Sequence, residues 1–205
     1  MGMAPTFFED LKQYVGFTAD STAALRELHP LAAPHFRAIV DDFYAAIEAH
    51  PGPRAAITGG DAQIARLKQT LIRWLDTMLT GPHDEAYYEV RARIGRVHVR
   101  IDLPQAYMFT AMNRIRVRLL EVLRHELSER PDALDRVATA LHQIIDLELA
   151  IMLETYREAF VEKVQQLERL ERSLIERRLA ISEARYQEIV ESAHTVPRRR
   201  PSSSA

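Results

Sequence analysis

The segment Arg93-Ile94-Gly95-Arg96-Val97-His98-Val99-Arg100-Ile101-Asp102-Leu103-Pro104 decides how the chain is read. Its apolar residues extend a line that begins at Tyr87 and Val90 and runs through Ile94, Val97 and Ile101, the spacing of one helix face. Gly95 stands inside that helix, where glycine costs about 1 kcal/mol relative to alanine. The other six glycines fall near the start of the chain or in expected loops. Gly95 lies one turn before His98 and on nearly the same face. A missing side chain beside a histidine leaves room for something flat and wide. A neutral imidazole walled by aliphatics is also what an iron porphyrin takes as its proximal ligand. The competing reading is a core histidine satisfied by the protein itself, and spacing alone supports both.

Outward from this segment the chain reads as all-α. The helix around His98 is expected over 83–101, opening on acidic Asp84 and Glu85, which suit a helix N-terminus. The next is expected over 104–127, with proline in its first turn. Upstream, Ile64, Leu67, Leu71, Trp74 and Met78 form a second narrow stripe on a helix over 61–79. Stripes of this kind are by default ordinary core. Pro30, Pro51, Pro53, Pro82, Pro104 and Pro131 divide the chain into helical segments. The remaining ones are expected at 7–14, 18–28 and 31–49, with a short turn near Arg54. A long last helix starts near Pro131 and passes Ala180. No stretch alternates with period two, and no Asn-Gly or Asp-Gly hairpin signal occurs.

Past about Val161 the composition changes. Leu153, Tyr156, Phe160, Leu167, Leu170, Leu174, Ile181 and Ala184 form a heptad seam, interrupted by Lys163 and Arg177 and flanked by Glu and Arg. It suits a parallel signalling helix; a charged surface helix is the plain alternative. Val196 to Ala205, with three consecutive arginines and three serines, reads as a disordered tail or a remnant of truncation. The chain of 205 residues is 47% hydrophobic and long enough to bury a core. Its formal net charge of -2 gives no basic field for nucleic acid. The absence of cysteine removes disulfides, thiolate metal sites and cysteine nucleophiles. No signal peptide or membrane-length apolar run is visible, so the expected location is cytoplasmic.

The His98 segment resembles the proximal-helix motif of globin-coupled sensors, in which histidine follows Ile-Gly-Arg-Val and proline opens the next helix. Tyr14-Val15-Gly16-Phe17 with Leu25-Arg26-Glu27-Leu28 resembles that family's N-terminal extension and first globin helix. Asp41-Asp42-Phe43-Tyr44 resembles its second helix with the distal tyrosine, and Leu67-Lys68-Gln69-Thr70 through Trp74, then Gly81-Pro82, its distal helix and following loop. These motifs occur in family order from about Phe7 to Phe160.

The resemblance implies a globin fold holding haem b (iron protoporphyrin IX). His98 would be the proximal iron ligand and Tyr44 would face a diatomic gas: oxygen, carbon monoxide or nitric oxide. Phe43, Leu67, Leu71, Ile94, Gly95, Val97, Leu103, Met108 and Met112 would line the pocket. Tyr44 also sits on an apolar face between Val40 and Ile47, where a buried hydroxyl wants a partner. A gas ligand is one such partner and a backbone carbonyl is another. The other histidines carry less: His29, His50, His83 and His125 are expected at the surface, and His142 at a helix contact. The resemblance assigns 1–160 to the globin domain, 161–190 to a signalling helix and 191–205 to the tail.

A long charged helix after the globin favours an input domain, not a catalyst. The resemblance implies an output module in cis: a histidine kinase, a diguanylate cyclase or a chemotaxis transducer. Closeness of resemblance favours the histidine kinase, and Ser182 to Val190 resembles the junction leading to such a module. A homodimer is expected through the last two globin helices, with Leu134, Val137, Leu141, Ile144 and Leu149 supplying apolar surface. Two other readings compete: a stand-alone protoglobin-like protein that binds or detoxifies oxygen and nitric oxide, and a haem-free helical dimerisation module. A di-iron bundle needs two Glu-x-x-His pairs on core helices. The one such pair, Glu191 with His194, is in the tail.

Overall fold

The computed structural model describes residues 4–194, with side chains as far as residue 187. The elements are α1 (Phe7–Tyr14), α2 (Ala19–Ala32), α3 (Phe36–Ala49), α4 (Pro51–Arg54), α5 (Gly60–Thr80), α6 (Glu85–Arg100), α7 (Gln105–Glu126) and α8 (Pro131–His194). Among the described residues there is no strand. None of these helices is long and apolar enough to cross a membrane. The chain divides into two units, one ending at Glu158 and the other beginning at Ala159.

Local chemistry sets the helix ends. Thr18 and Ser21 form a capping box at α2, each side chain accepting from the other's backbone N–H. Asp84 caps α6 by accepting from the Tyr87 N–H at 3.0 Å. Gly81, at φ +68, ends α5 in a conformation that disfavours a side chain. One boundary differs from expectation. α2 does not stop at Pro30 but continues to Ala32, and a 3-10 turn at Ala33–His35 leads into α3. Leu28 and Ala32, one turn apart and both buried, hold this last turn in the core against the local cost of the proline.

In the first unit, α2 and α3 pack closely on α5 and α7. Each helix sends one face inward: Phe36, Ile39, Val40 and Tyr44 from α3, Trp74, Leu75, Met78 and Leu79 from α5, Met108, Ile115, Leu119 and Leu123 from α7. Ion pairs fasten the outer sides. Lys68 of α5 meets Asp41 at 2.7 Å, while Arg114 and Arg118 of α7 meet Asp42 at 3.0 and 3.1 Å. Asp41 and Asp42 thus hold α3 to both neighbours immediately before Tyr44.

Within α8, Val137, Leu141, Ile144 and Leu149 are buried in the core of their own chain and Leu134 is half-buried. This corrects the expectation that they form a surface for a second copy: the same apolar periodicity serves an internal face. Leu153, Phe160, Leu167, Leu170, Leu174 and Ile181 of the heptad seam are exposed instead. Residues 195–205, most of the expected tail, lie outside the described residues, as do the side chains of the Ser182–Val190 junction from 188 on.

Candidate functional site

His98 belongs to the last turn of α6, and the way that helix ends fixes its surroundings. Asp102 adopts the left-handed conformation at φ +54, and its N–H donates to the Val99 carbonyl at 3.0 Å. The Leu103 N–H reaches back to the His98 carbonyl at 3.1 Å. These are the two bonds of a Schellman motif, which folds Leu103 over the turn that carries His98. Pro104 then takes the N-cap position of α7.

The His98 side chain is half-buried, and burial lowers its pKa below the ordinary histidine value. It is therefore neutral at neutral pH, the form that ligates metals. Its Nδ1 is buried without a hydrogen-bond partner. The satisfied core histidine considered from sequence is thus not what the fold contains. The apolar line on α6 also differs from a core stripe: Tyr87 is buried, Ile94 half-buried, and Val97 and Ile101 are 43% and 44% exposed. α6 presents exposed aliphatic surface beside a neutral imidazole. Those residues fit a haem.

Tyr44 is 7% exposed, and burial pushes its phenol up to about 12, so it is a hydroxyl donor at any ordinary pH. Phe43 packs edge-on against it at 5.4 Å between ring centroids. Met108 is buried in the same core as Tyr44, and Phe43, Leu67, Leu71, Ile94, Leu103 and Met112 pack half-buried against it. On α5 the stripe is buried at Ile64, Trp74 and Met78 and partly open at Leu67 and Leu71 between them. Val97 is not part of this cluster.

Gly95 has a different reason from the one its position suggested. A side chain there would run into Thr155 of α8, with Cγ2 2.9 Å from the added carbon. The glycine admits a neighbouring helix, not a flat ligand. Two histidines are also corrected. His83 is buried, its Nε2 2.9 Å from the Met78 carbonyl and its Nδ1 3.3 Å from Thr22 Oγ1, whereas His142 is exposed.

A buried charged cluster escaped the sequence reading. Arg91 of α6 and Glu148 of α8 are 2% and 1% exposed and meet at 2.7 Å. Arg91 also donates to the Trp74 carbonyl at 3.0 Å and to Thr77 Oγ1 at 2.9 Å, and its guanidinium lies 4.5 Å from the centre of the Tyr87 ring. The Tyr87 hydroxyl donates to Glu148. Burial raises the Glu148 carboxyl above its usual range, against the pull of Arg91. A glutamate between Leu147 and Leu149 in an apolar run was the available signal.

A family model described as Protoglobin matches residues 6–162, well over half of the chain. The chain belongs to the protoglobin family. Among similar solved structures of this globin fold is the globin domain of a Geobacter sulfurreducens globin-coupled sensor, 28% identical with a TM-score of 0.69, covering 76% of this chain and 99% of that one. The ferric globin domain of E. coli DosC, 17% identical with a TM-score of 0.62 over 73% of this chain and 99% of its own, shows the fold alone. The heme-based aerotactic transducer HemAT of Halobacterium salinarum is 24% identical over 198 residues, 89% of this chain and 40% of the transducer. This protoglobin chain therefore spans about two fifths of the length of that curated relative. Together these bear out the resemblance to globin-coupled sensors. None of them supports a histidine kinase output.

Proposed function

We propose that this protoglobin chain is the haem b-binding input domain of an oxygen sensor, held to the cofactor through His98. The observation that carries the reading is the half-buried, neutral imidazole of His98 set beside uncovered aliphatic surface on α6. Haem, when bound, would supply an iron able to take a diatomic gas. The chain's own residues do the rest. His98 holds the iron, and Leu67, Leu71, Ile94, Leu103, Met108 and Met112 exclude water. Tyr44 keeps its proton and donates it as a hydrogen bond toward the gas, in surroundings where such a bond is strong because little competes with it.

Tyr44→Phe tests the distal assignment. Losing a hydrogen bond of about 1 to 2 kcal/mol speeds oxygen dissociation roughly five- to thirtyfold. Stopped-flow measurement of the off-rate checks this, and an unchanged rate removes Tyr44 from the mechanism.

Sensing, in place of storage or detoxification, is proposed from α8. Its exposed seam from Leu153 to Ile181 has the heptad spacing of a pairing helix and gives a stand-alone globin nothing to do. In this reading the cytoplasmic full-length protein pairs through that seam. A shift of α6 on gas binding is carried to α8 and through the paired seam biases an output in cis. A histidine kinase is the output implied by the resemblance; the Halobacterium relative, a transducer, names the competing class. Light scattering at micromolar concentration is expected to give a dimer mass, and a monomer mass would favour the stand-alone protein that binds or consumes oxygen and nitric oxide.

A further inference from the structure

α6 is fastened to α8 at successive points, and they differ in kind. The first is the Arg91–Glu148 pair, which also reaches the backbone of α5 through the Trp74 carbonyl. One turn later Gly95 lets Thr155 approach closely. Both are buried, and both precede His98. Beyond them no further side-chain bond ties the end of α6 itself to α8 among the described residues. The remaining fastening lies past His98: the Tyr156 hydroxyl donates to the Leu103 carbonyl at 2.7 Å. Leu103 is thereby held at both of its peptide groups, its N–H by the His98 carbonyl and its carbonyl by Tyr156. Among the described residues, no side-chain hydrogen bond joins α6 to α7; those leaving α6 go to Thr6 ahead of α1, to α5 and to α8.

Resting on the haem reading of His98, we propose that Tyr156 is a positioning residue that couples the His98 turn to α8 within one chain, with the Arg91–Glu148 cluster as the pivot. The first half of α6 is locked to two helices by buried charge, and packed interiors shift between discrete arrangements instead of deforming smoothly. A pull on His98 therefore swings the last turn of α6 about the locked part. The corner at Leu103 moves with that turn because it is bonded to the His98 backbone. Tyr156 receives the displacement on α8, three residues before the second unit begins at Ala159. α7 follows only through the chain at Pro104.

Hydrogen exchange on the full chain loaded with haem and reduced with dithionite tests this, comparing protein with and without carbon monoxide. In the wild type, carbon monoxide is expected to change amide exchange severalfold in α8 around residues 149–160, as local opening responds to the tie. Tyr156→Phe keeps the ring and removes only the hydroxyl. It is expected to cut that response to less than half while the carbon monoxide Soret band stays at its wild-type position and α6 still responds. Tyr186→Phe, on an exposed residue of the second unit, is expected to leave the response intact. A melting midpoint for Tyr156→Phe within several degrees of wild type shows that the variant folds. A full α8 response in Tyr156→Phe, or no α8 response in a wild type that does form the carbon monoxide band, overturns the proposal. A wild type that forms no such band overturns the haem reading on which it rests.

Discussion

Replacing Glu148 by alanine is expected to cost the fold about 3 to 5 kcal/mol, the usual penalty for removing one partner of a buried ion pair. That is a large share of the roughly 5 to 15 kcal/mol that holds a domain together. Arg91 has no escape to solvent, because its guanidinium is enclosed by the Trp74 carbonyl, Thr77 and the Tyr87 ring. Without the carboxylate it is a buried charge with only neutral partners, and the Tyr87 hydroxyl loses its acceptor as well. The damage reaches the N-terminal extension, because Phe8 of α1 stacks on Tyr87 at 6.1 Å between centroids. Urea unfolding followed by circular dichroism measures the loss. Arg91→Met combined with Glu148→Leu is expected to recover most of it, since an apolar pair of similar volume avoids the desolvation that the ion pair requires. A Glu148→Ala protein within about 1 kcal/mol of wild type, the net worth of a typical exposed pair, would show that the cluster is not a structural pivot.

The parts of this molecule that were legible in the sequence are those set by near neighbours. α1 occupies the residues expected for it, and α5, α6 and α7 begin and end within two residues of expectation, because Asp84, Gly81 and Pro104 act on backbone a few positions away. His98 and Gly95 stood out because each breaks a local rule: an imidazole beside aliphatic neighbours, a glycine inside a helix. What the sequence did not disclose is what each one meets. Gly95 announced a close approach, but its partner Thr155 belongs to a helix far along the chain. Arg91 and Glu148 are 57 residues apart, and each alone reads as a charge on a helix surface. His83 lies between α5 and α6, where a surface place is the natural expectation, yet its ring is tied to Met78 and Thr22. The apolar residues of α8 show the same limit. Periodicity says that Val137, Leu141 and Ile144 share a face, but whether that face meets its own chain or another depends on where the other helices lie.

His98→Ala carries the other large effect. The imidazole is the single protein group proposed to bond the iron, so its removal is an all-or-none change, unlike the graded effect of altering any one wall residue. Its truncation also removes a buried polar atom that nothing in the protein satisfies, so the haem-free fold is not expected to suffer. Loss of the cofactor signal in a variant that still folds therefore isolates ligation from stability.

The most direct measurement of the central claim is the absorption spectrum of the purified chain after haem addition, for wild type and His98→Ala. A sharp Soret band in wild type, shifting with dithionite and again with carbon monoxide, and lost or altered in the variant, is the predicted result. A wild type with no such band, or a variant whose bands match it in every state, would contradict the account.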